Sequence, residues 1–314
     1  MGDALERLNY QGTLVELDGD GATVMRVVHR YADGLATERL TALDGVGREI
    51  IRRGDEVTFI LPDQRTILVD RRENVPGSTS RLREQFAAPL RLPMAHYRLA
   101  TEAGPELVGR TTQVVVIEPA DTFRYGYRLW LDQATAMPLR VQVTGEDGEI
   151  IEQVLFADIT LGESIDDAAV RPSRSTAGFA RRSAARPPAA PADLPAPEPW
   201  AADRLPAGFT LQAMLAKPGR DEATPLTQLV YTDGVATVSV FVEPLPAGGK
   251  PAEGNVPAPG EETRAPSGSH VGGANVYTLV NAGHLVTAMG EVPAATVRMI
   301  AEAMVPVATN ARAR

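Results

Sequence analysis

Cysteine is absent from the 314-residue sequence. Without a thiol there is no disulfide, no thiolate metal site, no iron–sulfur cluster and no cysteine nucleophile. Histidine is scarce, and the four present (His29, His96, His270 and His284) never approach the i, i+4 spacing of a helical zinc site. Lysine is nearly missing: Lys217 and Lys250 are the only two among 31 basic residues. Base composition explains that as readily as any need for guanidinium geometry. No apolar run nears the roughly 18 residues that span a membrane. Neither a nucleophile elbow nor a phosphate-binding glycine loop occurs, since Gly248-Gly249-Lys250 lacks the earlier glycine. These absences point away from an enzyme and call for no cofactor.

What is present describes an ordinary globular chain, 44% hydrophobic and 23% charged. At roughly 150 residues per domain it holds about two domains. The net charge of −9 is uneven: −10 over residues 1–170, +3 over 171–199 and −2 over 200–314. A nucleic-acid binder needs a net positive face to displace condensed counterions. Neither large segment supplies one, so nucleic acid is not an expected partner.

Residues 8–62 predict short strands, YQGTLVEL, TVMRVVHRY, GREII and DEVTFILP, separated by Asp-Gly turns at 18–21, 33–34 and 44–45. Alternation in TVMRVVHRY places Met25, Val27, His29 and Tyr31 on one face. Residues 79–88 predict a helix, with Leu82 and Phe86 at i, i+4 and Pro89 after it, and LPMAHY a second short one. Strands resume as TTQVVVIEP, RYGYRLWLD, PLRVQV and EIIEQVLFADI. From 171 to 199, seven prolines and eight alanines predict an extended linker. A second domain, 200–314, follows: two strands joined at Asp233-Gly234, a Pro/Gly/Ser-rich stretch at 244–271 expected to be a disordered insertion, two more strands, and a helix from Ala294 to Met304 with Val297, Ile300, Ala301 and Met304 on its apolar face.

Several features invite a chemical reading and each has a plainer one. Asp18-Gly19-Asp20-Gly21 starts like a calcium loop but lacks the later ligands, and is a turn. The acids at Glu146, Asp147 and Glu149 sit at a hairpin tip, where acids are solvated. RYGYRLWLD is a half-buried strand with Tyr125, Tyr127, Leu129 and Leu131 facing a core. The clustered arginines Arg48, Arg52, Arg53, Arg71, Arg72, Arg81 and Arg83 either balance neighbouring acids or grip phosphate or carboxylate.

The segments LNYQGT, GREII, GRTTQVVVIEPADTFRYGYRLWLDQATAMPLRVQV and DGEIIEQVLF resemble the MucB/RseB family, regulators of the envelope-stress sigma factor. WAADRLPAGF, LVYTDGVATVSVFVE and GANVYTLVNAGHLVTAMGEVPAATVRMIAEAMV are similar to that family's second domain, in the right order across the linker. The resemblance covers residues 8–165 and 200–305. It implies a mainly β, α+β protein. Residues 1–170 would form a LolA/LolB-like domain, an unclosed antiparallel barrel over helices with an apolar concavity, and 200–314 a smaller α+β domain. It implies location in the periplasm, so that a leader is expected upstream of Met1. The partner it implies is the periplasmic domain of an RseA/MucA-type anti-sigma factor, shielded from proteolysis and released by lipid or lipopolysaccharide fragments, with a homo-oligomer, a dimer, as the assembly. The alternative is a LolA-type lipoprotein or lipid carrier, which leaves the second domain unexplained.

Residues follow for each role. Met25, Val27, Phe59, Leu129 and Leu131 are expected to line the lipid pocket, with Arg48, Arg52 or Arg53 at the head group. Tyr231, Asp233 and Phe241 are expected to meet the partner, through an edge of the LVYTDGVATVSVFVE hairpin that accepts an extended segment.

Overall fold

Alternation between residues 10 and 161 becomes eleven strands of one sheet. The computed structural model describes residues 1–19, 21–71, 86, 94–183, 198–219, 225–245, 267–271 and 274–307. Two units result: Met1–Arg91, Arg98–Glu118 and Gly126–Arg186 form the first, and Leu92–Tyr97, Pro119–Tyr125 and Pro187–Arg314 the second.

In the first unit a short helix α1 (Gly2–Arg7) precedes β1 (Tyr10–Asp18), β2 (Gly21–Ala32), β3 (Leu35–Ala42), β4 (Glu49–Arg53), β5 (Glu56–Leu61) and β6 (Thr66–Arg71). Then come β7 (Tyr97–Ala103), β8 (Thr112–Pro119), β9 (Gly126–Asp132), β10 (Pro138–Thr144), β11 (Ile150–Leu161) and β12 (Ala180–Ser183). The order across the sheet is β12-β6-β5-β4-β3-β2-β1-β11-β10-β9-β8-β7, and its two outer strands leave it unclosed. Two meanders, each a chain of neighbours, are joined by antiparallel pairing of β1 with β11, Tyr10 opposite Leu161. The Asp33-Gly34 turn shows why the local pairing is tight: both residues have positive φ, 54° and 77°, as the twist-matched two-residue hairpin demands. Gly12 is required for another reason. A Cβ there would stand 2.2 Å from the Asp158 carbonyl oxygen beside the β1–β11 bulge.

After β11 the chain crosses the back of the sheet as a strap. Arg30 Nε donates to Ile165 O (3.1 Å) and Arg39 Nη1 to Arg171 O (2.8 Å). Glu49, 1% exposed, accepts from Ser173 N (2.9 Å) and Ser173 Oγ (2.6 Å). Val28, Ile165 and Val170 form a small apolar cluster beneath it. The strap ends as β12, which pairs with β6 in parallel. The Pro/Ala-rich segment 171–199, expected to be an extended linker, thus carries a sheet strand at Ala180–Ser183, because main-chain bonds to the open β6 edge need no apolar side chains. The helix expected over 79–88 lies outside the described residues except for Phe86, which is helical, buried and stacked on Phe156 at 5.8 Å. Of the LPMAHY segment, Met94–His96 form a single 3-10 turn.

The second unit contains β13 (Trp200–Ala202), β14 (Thr210–Lys217), β15 (Leu226–Thr232), β16 (Thr237–Pro244), β17 (Ser267–Val271), β18 (Ala274–Asn281), β19 (His284–Gly290), helix α2 (Ala294–Glu302) and β20 (Met304–Pro306). Six strands form a sheet in the order β14-β15-β16-β19-β18-β17, while β13 pairs with β20. A nine-residue helix is marginal alone, so α2 depends on burying Val297, Ile300 and Ala301 against the sheet core of Leu229, Val240, Val286 and Ala288. Burial of a side chain such as Val297 or Ile300 contributes about 1.5–3 kcal/mol, and the Ala301 methyl less. Ile300→Asp would undo it. Met304, expected in the helix, begins β20 instead and remains fully buried. Part of the expected insertion is ordered too, since its end forms β17; residues 246–266 lie outside the described residues.

Candidate functional site

Register decides which side chains share a face. In the first sheet one straight row runs Gly12, Val27, Leu40, Ile50, Phe59, Leu68 across six strands. One pair further along each strand, a second row runs Tyr10, His29, Glu38, Arg52, Val57, Asp70 on the same face. Met25 extends the face beside Leu14, and Leu129 joins it through Val141 and Val154. The face is thus an apolar field bordered by a polar row. His29, Glu38 and Arg52 in that row are 0%, 4% and 7% exposed. His29 Nδ1 donates to Leu8 O (2.8 Å) and its ring stacks on Tyr10 at 4.6 Å.

The five residues expected to line a pocket share this face and differ in depth. Val27 and Leu129 are fully packed, whereas Met25, Phe59 and Leu131 are half-buried. The three arginines expected at a head group are separated. Only Arg52 lies in the polar row. Arg48 is exposed and pairs with Asp63 (2.9 Å), whose carboxyl that hydrogen bond holds below its ordinary range. Arg53 is on the opposite face, where its charge reaches Asp167. Adjacent strand residues face opposite ways, so Arg52 and Arg53 could not share a site. On the back face Trp130 lies under Arg128 (5.7 Å) and Arg140 (5.1 Å), so the aromatic strand carries its largest ring away from the row of Leu129.

In the second unit Tyr231 is 1% exposed. Its hydroxyl accepts from Ala202 N (3.1 Å) and donates to Met304 Sδ (3.7 Å), and burial pushes its pKa up. Asp233 is engaged as well. Its Oδ1 accepts from Val235 N (3.0 Å) and Ala236 N (2.9 Å), closing the turn, and its Oδ2 accepts from Arg124 Nε (2.9 Å). Arg124 also reaches Asp121 (2.6 Å) and the Ala207 carbonyl, and lies over the Phe209 ring at 5.3 Å. Both Arg124 and Asp233 side chains are 1% exposed. Tyr231 and Asp233 are thus committed inside the unit.

Phe241 is placed differently. Alternation puts Leu229, Tyr231 and Val240 on the α2 side and leaves Phe241 half-buried on the other. There it stands in a row with Leu215, Gln228 and Thr287, beside a row containing Val230, Met289 and Val276. The face is mixed: Gln228, Ser239, Thr278 and Thr287 share it with Phe241, Val230, Met289 and Val276, and those four apolar side chains are half-buried. The hairpin expected to offer an edge has none to offer, because β15 is paired with β14 and β16 with β19. Nothing local in the sequence signalled the β16–β19 pairing.

Two family models match, the MucB/RseB N-terminal domain over residues 1–174 and the MucB/RseB C-terminal domain over residues 195–305. The chain belongs to the MucB/RseB family. Among its relatives is the sigma factor AlgU regulatory protein MucB of Pseudomonas aeruginosa, 28% identical over 312 residues that span 98% of this chain and 89% of that protein. The sigma-E factor regulatory protein RseB of Escherichia coli is 24% identical over 300 residues, 95% of this chain and 86% of that one. Of the solved structures, the complex of Pseudomonas aeruginosa MucA/MucB superimposes with a TM-score of 0.68 at 23% identity, covering 98% of this chain and 96% of that one. The crystal structure of MucB in complex with MucA(peri) gives 0.67 at 23% identity, over 98% and 97%. The MucB/RseB fold is shared across both domains.

Proposed function

We propose that this chain is a non-enzymatic periplasmic regulator that binds the periplasmic domain of an RseA/MucA-type anti-sigma factor and shields it from proteolysis. Family membership over both domains carries the reading, since the named relatives regulate sigma factors and MucB has been crystallised with MucA. The half-buried cluster of Phe241, Val230, Met289 and Val276 on the face away from α2 supports a partner contact in the second unit. Phe241 is its anchor, an aromatic in a half-buried setting of the kind that concentrates binding energy.

The lipid signal enters on the first sheet. An acyl chain lies over the half-buried Met25, Phe59 and Leu131, beside the packed Val27 and Leu129, with its anionic head group near Arg52. Each buried methylene contributes about 0.8 kcal/mol, so roughly eight to ten outweigh the cost of immobilisation. Release follows only if the lipid binds the partner-free form better, because equal affinity for both forms shifts nothing. The test titrates the complex with acylated and deacylated lipopolysaccharide fragments at fixed salt. Release by acylated forms alone, weakened by Phe59→Asp, is expected, together with loss of partner binding in Phe241→Ala. Equal release by both forms would overturn the lipid role, and full binding of the partner by residues 1–170 alone would overturn the partner surface.

A further inference from the structure

We infer that the outer edge of β14 takes up an extended segment of the anti-sigma factor as a seventh strand of the second sheet. The inference rests on the partner-binding reading above and adds where the partner's main chain is held. Among the described residues no strand pairs with that edge, because β14 ends the sheet order. An outer strand presents a row of N–H and C=O groups, and proteins commonly blunt it with charge, proline or brevity. β14 is eight residues long, contains no proline and no acid, and carries one charge, Lys217, at its last position. Its exposed apolar side chains are large: Leu211 is 44% and Leu215 43% exposed.

Register identifies what fits. Leu215 and Ala213 lie opposite Gln228 and Val230, on the open face that also holds Phe241. A strand added outside β14 would place every second side chain beside Leu215 and Ala213, continuing the rows that hold Phe241 and Val230. The occupant is therefore an extended peptide with apolar residues at alternate positions. Lys217 has no ion pair among the described residues, and an acidic residue near that end of the peptide would answer it. A second copy of this chain fits less well. Antiparallel self-pairing would set Lys217 against Thr210 and bring in the irregularity between Leu211 and Ala213 twice. The other outer strand, β17, is five residues long and has the sequence Ser-Gly-Ser-His-Val.

Amide hydrogen exchange on the full chain, with and without the purified periplasmic domain of its own anti-sigma factor, tests this. Alternate amides of Thr210–Lys217 should exchange rapidly in the free protein and slow by about tenfold or more in the complex, while those directed at β15 are slow in both. Leu215→Glu should weaken binding about tenfold at an unchanged melting temperature, and Lys217→Glu, a milder change, should weaken it less. A tight complex with unchanged β14 amides, or with protection at β17 instead, overturns the edge assignment and leaves the partner reading standing. Failure of the wild-type chain to bind at all overturns both. Protection of β14 that grows with protein concentration in the absence of partner assigns the edge to a second copy and overturns the inference.

Discussion

Replacing Asp233 by alanine should cost the second unit about 4 kcal/mol, and the figure follows from its surroundings. The substitution removes an ion pair in which both side chains are 1% exposed. Breaking a buried pair from one side costs about 3–5 kcal/mol, because the remaining charge stays desolvated. Arg124 is not wholly abandoned: Asp121, 25% exposed, and the Ala207 carbonyl remain. That offset is balanced by the loss of the two turn hydrogen bonds from Val235 and Ala236, each contributing about 1 kcal/mol. Asp233→Asn keeps an oxygen for those two amides but turns its NH2 toward Arg124 Nε, so it saves only the turn hydrogen bonds and its cost should be nearer ~3 kcal/mol. If the pair is coupled, Arg124→Met with Asp233→Asn should destabilise less than the two changes added, by about 2 kcal/mol. Urea unfolding and calorimetry of the full chain measure the wild type and these four variants, with Asp147→Ala in an exposed hairpin turn as the comparison. An Asp233→Ala loss no larger than that of Asp147→Ala would refute the reasoning, as would strict additivity in the double variant.

The strap gives a second expectation: Glu49→Gln removes the charge-assisted acceptor of Ser173 and should cost about 2 kcal/mol, with faster tryptic cleavage after Arg174 as the readout. Asp132 gives a third. Burial alone would raise its carboxyl, but hydrogen bonds from Arg110 and Thr135 and the Arg110 charge more than offset this and hold it below the ordinary range. The stabilisation is present above about pH 4 and is lost as pH falls through the lowered pKa. Arg110→Met should therefore cost about 2 kcal/mol at neutral pH, and the gap from wild type should close in acid unfolding curves. A fourth concerns Val108, a β-branched residue at φ 45° before Gly109 in the tight Leu107–Arg110 turn. Val108→Asn should stabilise by about 1 kcal/mol, seen as a higher melting temperature.

Local regularities were legible in the sequence and long-range ones were not. Period-two alternation located β1, β2, β9 and the β15–β16 hairpin, and Asp33-Gly34 located a turn, because each depends on neighbours along the chain. Alternation also placed Met25, Val27 and His29 on one face. The same rule, applied to Arg52 and Arg53, separates them without any structure. Strand order was beyond reach. That β19 covers the edge of β16 depends on residues forty or more positions away, and Asp233 is claimed by Arg124 from a distance of 109 residues. Tyr231 and Phe241 are both aromatic on adjoining strands; the hairpin register sets them on opposite faces, and only the packing of α2 shows which of them is inside.

The pairing of β1 with β11 sets a clock on the chain's birth. Tyr10 cannot meet Leu161 until 151 further residues have been made, and at ~5–20 residues per second that takes roughly 8–30 s. During that interval β2 can already hold one side of β1, while the other side waits as an unsatisfied template. Contacts of such span also slow folding after release, since a large loop must close before they reward it. Until β11 arrives, the free side of β1 is an open strand edge of the kind that invites pairing with another chain.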